Sequence, residues 1–363
     1  MGTVPGMAQQ TNERASDEER RNQAGPAPEA GRLARVERAI SARRQLLHRL
    51  GFAFSLTIIL FSAIIFVRVL VRINLGQFQA AFAATSGDQI AMAFGLSALS
   101  YFALTGYDAL ALRHLRVHVP YRLTALASFT SYAVSFTLGF PLVTGGAVRY
   151  WIYGPAGLSP GKVASLTIVA GITFWLGMGF ILAVGFLFDA AAISEINHFH
   201  VAANRSIGLA ILAALVAYLV WVGRVRRTRR PLVLNFAPPG PLLTLGQMTL
   251  GVIDVCSAAG ALYALLPKSH GLGFLPFSAL YSFGAMLGIA SHAPGGLGVF
   301  EATMIDVVGG PSEPLLASLL LFRAIYYAAP FILAMALLGA YEARRRWRSL
   351  REALAASSLD NED

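Results

Sequence analysis

Six ionisable side chains lie inside otherwise apolar sequence: Asp108, Arg149, Asp254, His292, Glu301 and Arg323. Hydroxyls at Tyr132, Tyr150, Tyr326 and Tyr327 accompany them. A charge held in low dielectric needs a partner, so mixed acids and bases predict ion pairs or a shared polar pocket. A structural pair is closed on itself, whereas a pathway pair receives a charged ligand; residue types leave both open. Glu301 ends the most irregular stretch of the chain, Ser291-His292-Ala293-Pro294-Gly295-Gly296-Leu297-Gly298-Val299-Phe300-Glu301. Pro294 removes a backbone donor, and Gly295, Gly296 and Gly298 accept conformations that other residues resist. A second set of breakers, Gly139, Pro141, Gly145 and Gly146, comes shortly before Arg149 and Tyr150.

Patterns that would announce an enzyme fail on inspection. Gly157 to Gly161-Lys162 resembles a phosphate loop, but the spacing is short and Val163 stands where a metal-binding hydroxyl belongs. Gly157-Leu158-Ser159-Pro160-Gly161 matches a nucleophile elbow in letters only, because no strand precedes it and Pro160 has no N–H for an oxyanion. His114 and His118 share a helix face without the glutamate of a zinc protease. His198 and His200 lack further ligands, and Gly284 with Gly288 marks close helix packing. No catalytic set, cofactor or metal is therefore expected.

The elements that carry these residues follow from composition. The 363 residues are 56% hydrophobic and 13% charged, which describes an all-α polytopic membrane protein. A net charge of +10 would suggest nucleic acid in a soluble domain. Here the arginines flank apolar spans and read as topology signals and contacts to anionic headgroups, so no nucleic-acid partner is expected. The lone Cys256 precludes an intrachain disulfide.

Residues 1–31 are polar and read as a disordered tail. Residues 32–49 carry six arginines among Leu33, Val36, Ile40 and Leu47, the pattern of a basic amphipathic interfacial helix. The membrane domain spans 50–341, with full crossings at about 50–71, 89–112, 163–188, 206–223, 243–266 and 315–340, and a cytoplasmic tail follows at 342–363. Arginines at 32–49, 113–122, 224–230 and 344–351 mark the cytoplasmic side, so both termini are expected there, in the inner (plasma) membrane.

For 113–122 and 224–230 to share a side, the broken segment at 123–142 must enter and return as a re-entrant hairpin. At 274–311, charge counting leaves open two crossings or one re-entrant hairpin; the Pro-Gly-Gly break and short arms favour the hairpin over a plain extramembrane loop. The two hairpins then enter from opposite sides. An offset of about 153 positions brings Ala164-Ser165-Leu166 onto Ala317-Ser318-Leu319 and Arg149 beside Glu301, which suggests an inverted repeat. Such repeats place sites where two broken elements meet.

Several strings in family order resemble the flippase half of the lysylphosphatidylglycerol synthetase/flippase family, MprF, over about 95–340. They are Leu104-Thr105-Gly106-Tyr107-Asp108, Ser131-Tyr132-Ala133, Thr144-Gly145-Gly146-Ala147-Val148-Arg149-Tyr150, Thr173-Phe174-Trp175-Leu176-Gly177, Asp254 before Leu262-Tyr263, the Pro-Gly-Gly stretch, and Arg323-Ala324-Ile325-Tyr326-Tyr327. The resemblance implies translocation of aminoacylated phosphatidylglycerol between leaflets, with Asp108, Arg149 and Glu301 as functional positions. It departs from the bifunctional members, which continue into more spans and a soluble synthetase domain. Trp151 also stands where a second basic residue is expected. The expectation is a lipid translocase without enzymatic activity, in which an acid receives a cationic headgroup and Arg149 its phosphate. A separate lipid-modifying synthetase is a candidate partner, and a non-transporting partner of such an enzyme is the alternative role.

Overall fold

The computed structural model describes residues 85–228, 239–267, 271–291, 293–309 and 312–359, with isolated positions before 85. The tail at 1–31, the basic helix at 32–49, the span at 50–71 and His292 lie outside the described residues. Those that are described form helices and turns, with no strand among them.

The first described helix, α1 (Gly87–His114), starts on a capping box: Ser86 and Gln89 satisfy each other's backbone N–H groups. Asp88 in the first turn and Arg113 and His114 in the last complement the helix dipole. Next come α2 (Tyr121–Leu138), α3 (Pro141–Tyr153), α4 (Pro160–Phe188), the short α5 (Ala190–Asn197) and α6 (Val201–Thr228). Pro141 and Pro160 occupy the first turns of α3 and α4, where a missing N–H costs nothing. The chain continues with α7 (Pro241–Leu265), α8 (Phe274–Ala290), a 3₁₀ turn at Pro294–Gly296 and α9 (Val299–Val308). Last come α10 (Ser312–Phe322), a π-helical segment at Arg323–Ala328 and α11 (Ala329–Leu359).

Five of these stretches are long and apolar enough to cross a membrane: Gly87–His114, Pro160–Phe188, Val201–Arg224, Pro241–Leu265 and Glu313–Arg348. They coincide with five of the expected crossings. The last is continuous helix through α10, the π segment and α11, which runs on past 341 to Leu359.

Contacts fix the relative directions of these helices. The start of α1 lies at the end of α7, where Gln89 Nε2 donates to the Ala264 carbonyl at 2.9 Å, and Gly106 packs on Leu250, so the two helices are antiparallel. Gln247 Nε2 on α7 donates to Thr173 Oγ1 on α4 at 2.8 Å, and Gly177 meets Gly251, so α4 runs parallel to α7. Hence α1 and α4 are antiparallel, and the α2–α3 pair between them leaves and returns at one end of the bundle. At the other end, Ser318 Oγ on α10 donates to the Leu265 carbonyl at 2.7 Å, so the α8–α9 pair also returns to where it began. Two helix pairs therefore enter the bundle from opposite ends.

The turn between α2 and α3 reverses at Gly139 (φ 81°) and Phe140 (φ 51°). A left-handed phenylalanine costs roughly 1–2 kcal/mol, which the surrounding contacts must hold in place. Gly145 and Gly146, expected as backbone breaks, instead lie inside α3 with helical backbone. The use of Gly145 is proximity: a Cβ there would sit 2.7 Å from Ser135 Oγ and 3.1 Å from Arg149 Nη1, so the pair closes tightly there, whereas a Cβ on Gly146 would meet only Thr167 Oγ1 at 3.8 Å. Between α8 and α9 the breakers act as expected, with Gly295, Gly296 and Gly298 all at positive φ (60°, 65° and 85°). Pro294 opens the 3₁₀ turn.

Candidate functional site

The two turns meet. A Cβ on Gly295 would lie 3.2 Å from the Phe136 carbonyl oxygen and 3.4 Å from that of Thr137, so the second tip sits directly on the end of α2. Beside this junction is a cavity of about 140 Å³. Its wall takes Phe136 and Phe140 from the first tip, Gly295 and Gly296 from the second, and Asp254 from α7. The rings of Tyr132, Tyr281, Tyr326 and Tyr327 complete its polar edge. A mostly apolar hollow with a few convergent polar groups is the usual form of a small-ligand site.

Of the expected charges that are described, Asp108, Arg149 and Asp254 are buried and Glu301 and Arg323 mostly so, but their pairing differs from the matched-repeat expectation. Arg149 pairs with Asp108 rather than with Glu301. Its Nη2 lies 2.8 Å from Asp108 Oδ1 and its Nε 3.0 Å from Oδ2, and the Tyr153 hydroxyl donates to Oδ2 at 3.1 Å. The two side chains are 2% and 0% exposed, so this pair is closed on itself. The Arg149 guanidinium also stacks 4.8 Å from the centre of the Tyr132 ring. Tyr150 sits half-buried near the end of α3 and contributes nothing to the cavity wall.

Glu301 pairs with Arg323, which donates from Nε to Oε1 at 2.6 Å. The other carboxylate oxygen accepts the Gly298 N–H at 2.7 Å, so Glu301 caps α9 while holding the arginine. Arg323 Nη1 in turn donates to the Gly295 carbonyl, which ties the π segment to the second tip. The guanidinium stacks 4.5 Å from the centre of the Tyr327 ring and 5.5 Å from that of Phe300. Its Nη2 is buried and has no hydrogen-bond partner among the described residues. A buried donor left open in this way costs free energy unless a ligand or water fills it.

Asp254 has no basic partner among the described ion pairs. Its oxygens accept from Ser100 Oγ and from the Tyr107 hydroxyl at 2.7 Å. Ser100 also shares a hydrogen bond with the Tyr326 hydroxyl at 2.8 Å. Sequence reasoning passed over Ser100, Tyr107 and Tyr153 as site residues. The spacing of α1 carried a signal for two of them: Ser97, Ser100, Tyr101, Tyr107 and Asp108 are buried on an otherwise apolar helix and recur near its period. Among the described residues no group of His, Cys, Asp and Glu could hold a metal ion.

Comparison with known proteins identifies the family. Residues 50–334 match the family model described as the lysylphosphatidylglycerol synthase TM region. An uncharacterized protein of Synechocystis sp. is 32% identical over 278 residues, which are 74% of this chain and 84% of that protein. The inner membrane protein YbhN of Escherichia coli is 27% identical over 254 residues, 67% of this chain and 77% of its own. Phosphatidylglycerol lysyltransferase of Staphylococcus aureus is 24% identical over 302 residues, which make up 79% of this chain but only 34% of that protein. With five helices able to cross a bilayer, such a match describes an integral membrane protein.

Proposed function

The chain belongs to the lysylphosphatidylglycerol synthase transmembrane-region family, and from that premise we propose that it moves a phospholipid headgroup between leaflets through the cavity where its two helix tips meet. The observation that carries the reading is Arg323: a buried guanidinium beside the cavity wall with one nitrogen that no described residue fills. A phosphate oxygen is the acceptor that suits it, because guanidinium–phosphate bonds are charge-assisted. This role moves from Arg149 to Arg323, since Arg149 is already closed on Asp108. Glu301 then acts as the residue that aims Arg323, and the apolar part of the cavity suits glycerol and the first methylenes of a lipid.

In this reading the α2–α3 and α8–α9 pairs are re-entrant hairpins of an inverted repeat, entering from opposite leaflets. Support comes from their entry at opposite ends of the bundle. Both termini face the cytoplasm, as the arginine clusters at 113–122, 224–230 and 344–351 favour. No bond-making step is assigned to the chain. A second reading, a non-transporting partner of a separate lipid-modifying enzyme, draws on the lysyltransferase relative, in which the matched region is part of a longer protein.

The test is reconstitution into phosphatidylglycerol–phosphatidylethanolamine vesicles carrying a fluorescent phosphatidylglycerol tracer. The parent should move tracer between leaflets faster than protein-free vesicles do. Arg323→Gln should slow it by about tenfold or more, because roughly 1.4 kcal/mol of lost headgroup binding at the barrier is enough for that. Tracer movement at the protein-free rate would overturn transport and favour the partner reading.

A further inference from the structure

Asp254 is used by neither ion pair, and we infer that it is a proton-binding site whose occupancy reorients a hydroxyl chain facing the cavity. It is 1% exposed, lines the cavity, and is held by hydroxyl donors alone among the described residues. An isolated carboxylate at membrane depth is costly, and a buried acid without a basic partner relieves that cost by taking a proton.

Among the described residues no cation pairs with Asp254. The titratable groups facing Asp254 are Tyr101 and Tyr107 from α1, Tyr132 from α2, Tyr281 from α8, Tyr326 from the π segment and Cys256 on its own helix. α4 meets α7 through Thr173 and Gly177, α6 meets it near Gly223 and Pro241, and α10 through Ser318 and Leu265; none of these titrates. The guanidinium of Arg149 stacks on the Tyr132 ring and is paired with its own acid, Asp108.

The proton can be followed atom by atom. With Asp254 charged, Ser100 donates to the carboxylate and accepts from the Tyr326 hydroxyl. A proton from cavity water then bonds to that carboxylate oxygen, which becomes the donor to Ser100 Oγ. The Ser100 hydrogen turns to the Tyr326 oxygen, and the Tyr326 hydrogen is released toward the cavity that this ring lines. Proton binding thus adds a donor to the site, and an anionic headgroup there favours the protonated state by the same factor. The proton site stands on the hydroxyl cluster alone; its coupling to lipid rests on the translocase reading.

Infrared pH-difference spectra of the protein in phosphatidylcholine nanodiscs test it. The parent should show a titrating protonated-carboxyl band that Asp254→Asn removes and that Tyr326→Phe and the exposed Glu313→Gln keep. Adding phosphatidylglycerol to the nanodiscs should move the parent midpoint toward higher pH by about one unit, a tenfold coupling. The Tyr326→Phe midpoint should not move. If Asp254→Asn fails to fold, Ser100→Ala serves in its place and should shift the titration while keeping the band. A band that survives Asp254→Asn, or is indifferent to Ser100→Ala, overturns the proton site. An intact Asp254 band with no lipid-dependent shift overturns the coupling alone, and absent tracer movement in vesicles overturns the translocase reading while leaving the proton site standing.

Discussion

At the scale of single residues, the two arginine–carboxylate pairs are not equivalent. Asp108 and Arg149 are 0% and 2% exposed, whereas Glu301 and Arg323 are 19% and 12% exposed. Removing one member of a fully buried pair leaves an uncompensated charge and costs about 3–5 kcal/mol. Asp108→Asn should therefore lower stability by about that much, measured as thermal unfolding in detergent, and adding Arg149→Met should recover most of it. Glu301→Gln should cost less, because its pair is partly exposed. Equal losses for the two acids would show that burial does not separate them. The residue types were legible in the sequence, since any charge in these apolar stretches stood out. Their pairing was not, because partners 41 and 22 positions apart are matched only by the fold.

At the scale of elements, the spans and the second tip were legible for a simple reason: apolar length makes the former, and a proline with three glycines breaks the latter. Gly145 was misread because a sequence does not distinguish a glycine needed for positive φ from one needed for close approach, and Gly146 is a helical glycine with room for a Cβ. The π segment left no mark in the sequence, yet it carries Arg323, Tyr326 and Tyr327, and such local widenings are frequent at functional sites. The contrast gives a direct test. Gly295→Val and Gly296→Val place a branched side chain at positive φ, the latter with its Cβ about 3.0 Å from the Gly288 Cα. Gly284→Val meets first the flexible end of Met304, at 3.1 Å. The first two should reduce folded yield or tracer movement severalfold more than the third; three indistinguishable variants would mean that the tip needs no glycine geometry.

At the scale of the whole molecule, the proposed topology rests on the directions of the described spans and on the arginine clusters. Single cysteines in a Cys256→Ser background read it. Ala156→Cys, in the loop after α3, and Glu313→Cys, at the start of α10, both occupy exposed positions and should label from opposite faces of the membrane. Labelling from one face would break the arrangement of oppositely entering hairpins. The crossing of α4 and α7 then acquires a mechanical meaning. A Cβ on Gly177 would overlap the Gly251 backbone, so no side chain stands between the two axes at that point. Gln247 bonded to Thr173 one turn away opposes sliding of one helix along the other. Such a contact is a pin joint. Any tilt of α4 about it swings the two ends of the helix in opposite directions. One end packs through Thr167 near Gly146 of the first hairpin, and the other through Gly185 on Ala279 of the second. A translocase cycle that tilted α4 about this point would use the helix as a lever, carrying displacement of one tip, reversed, to the other.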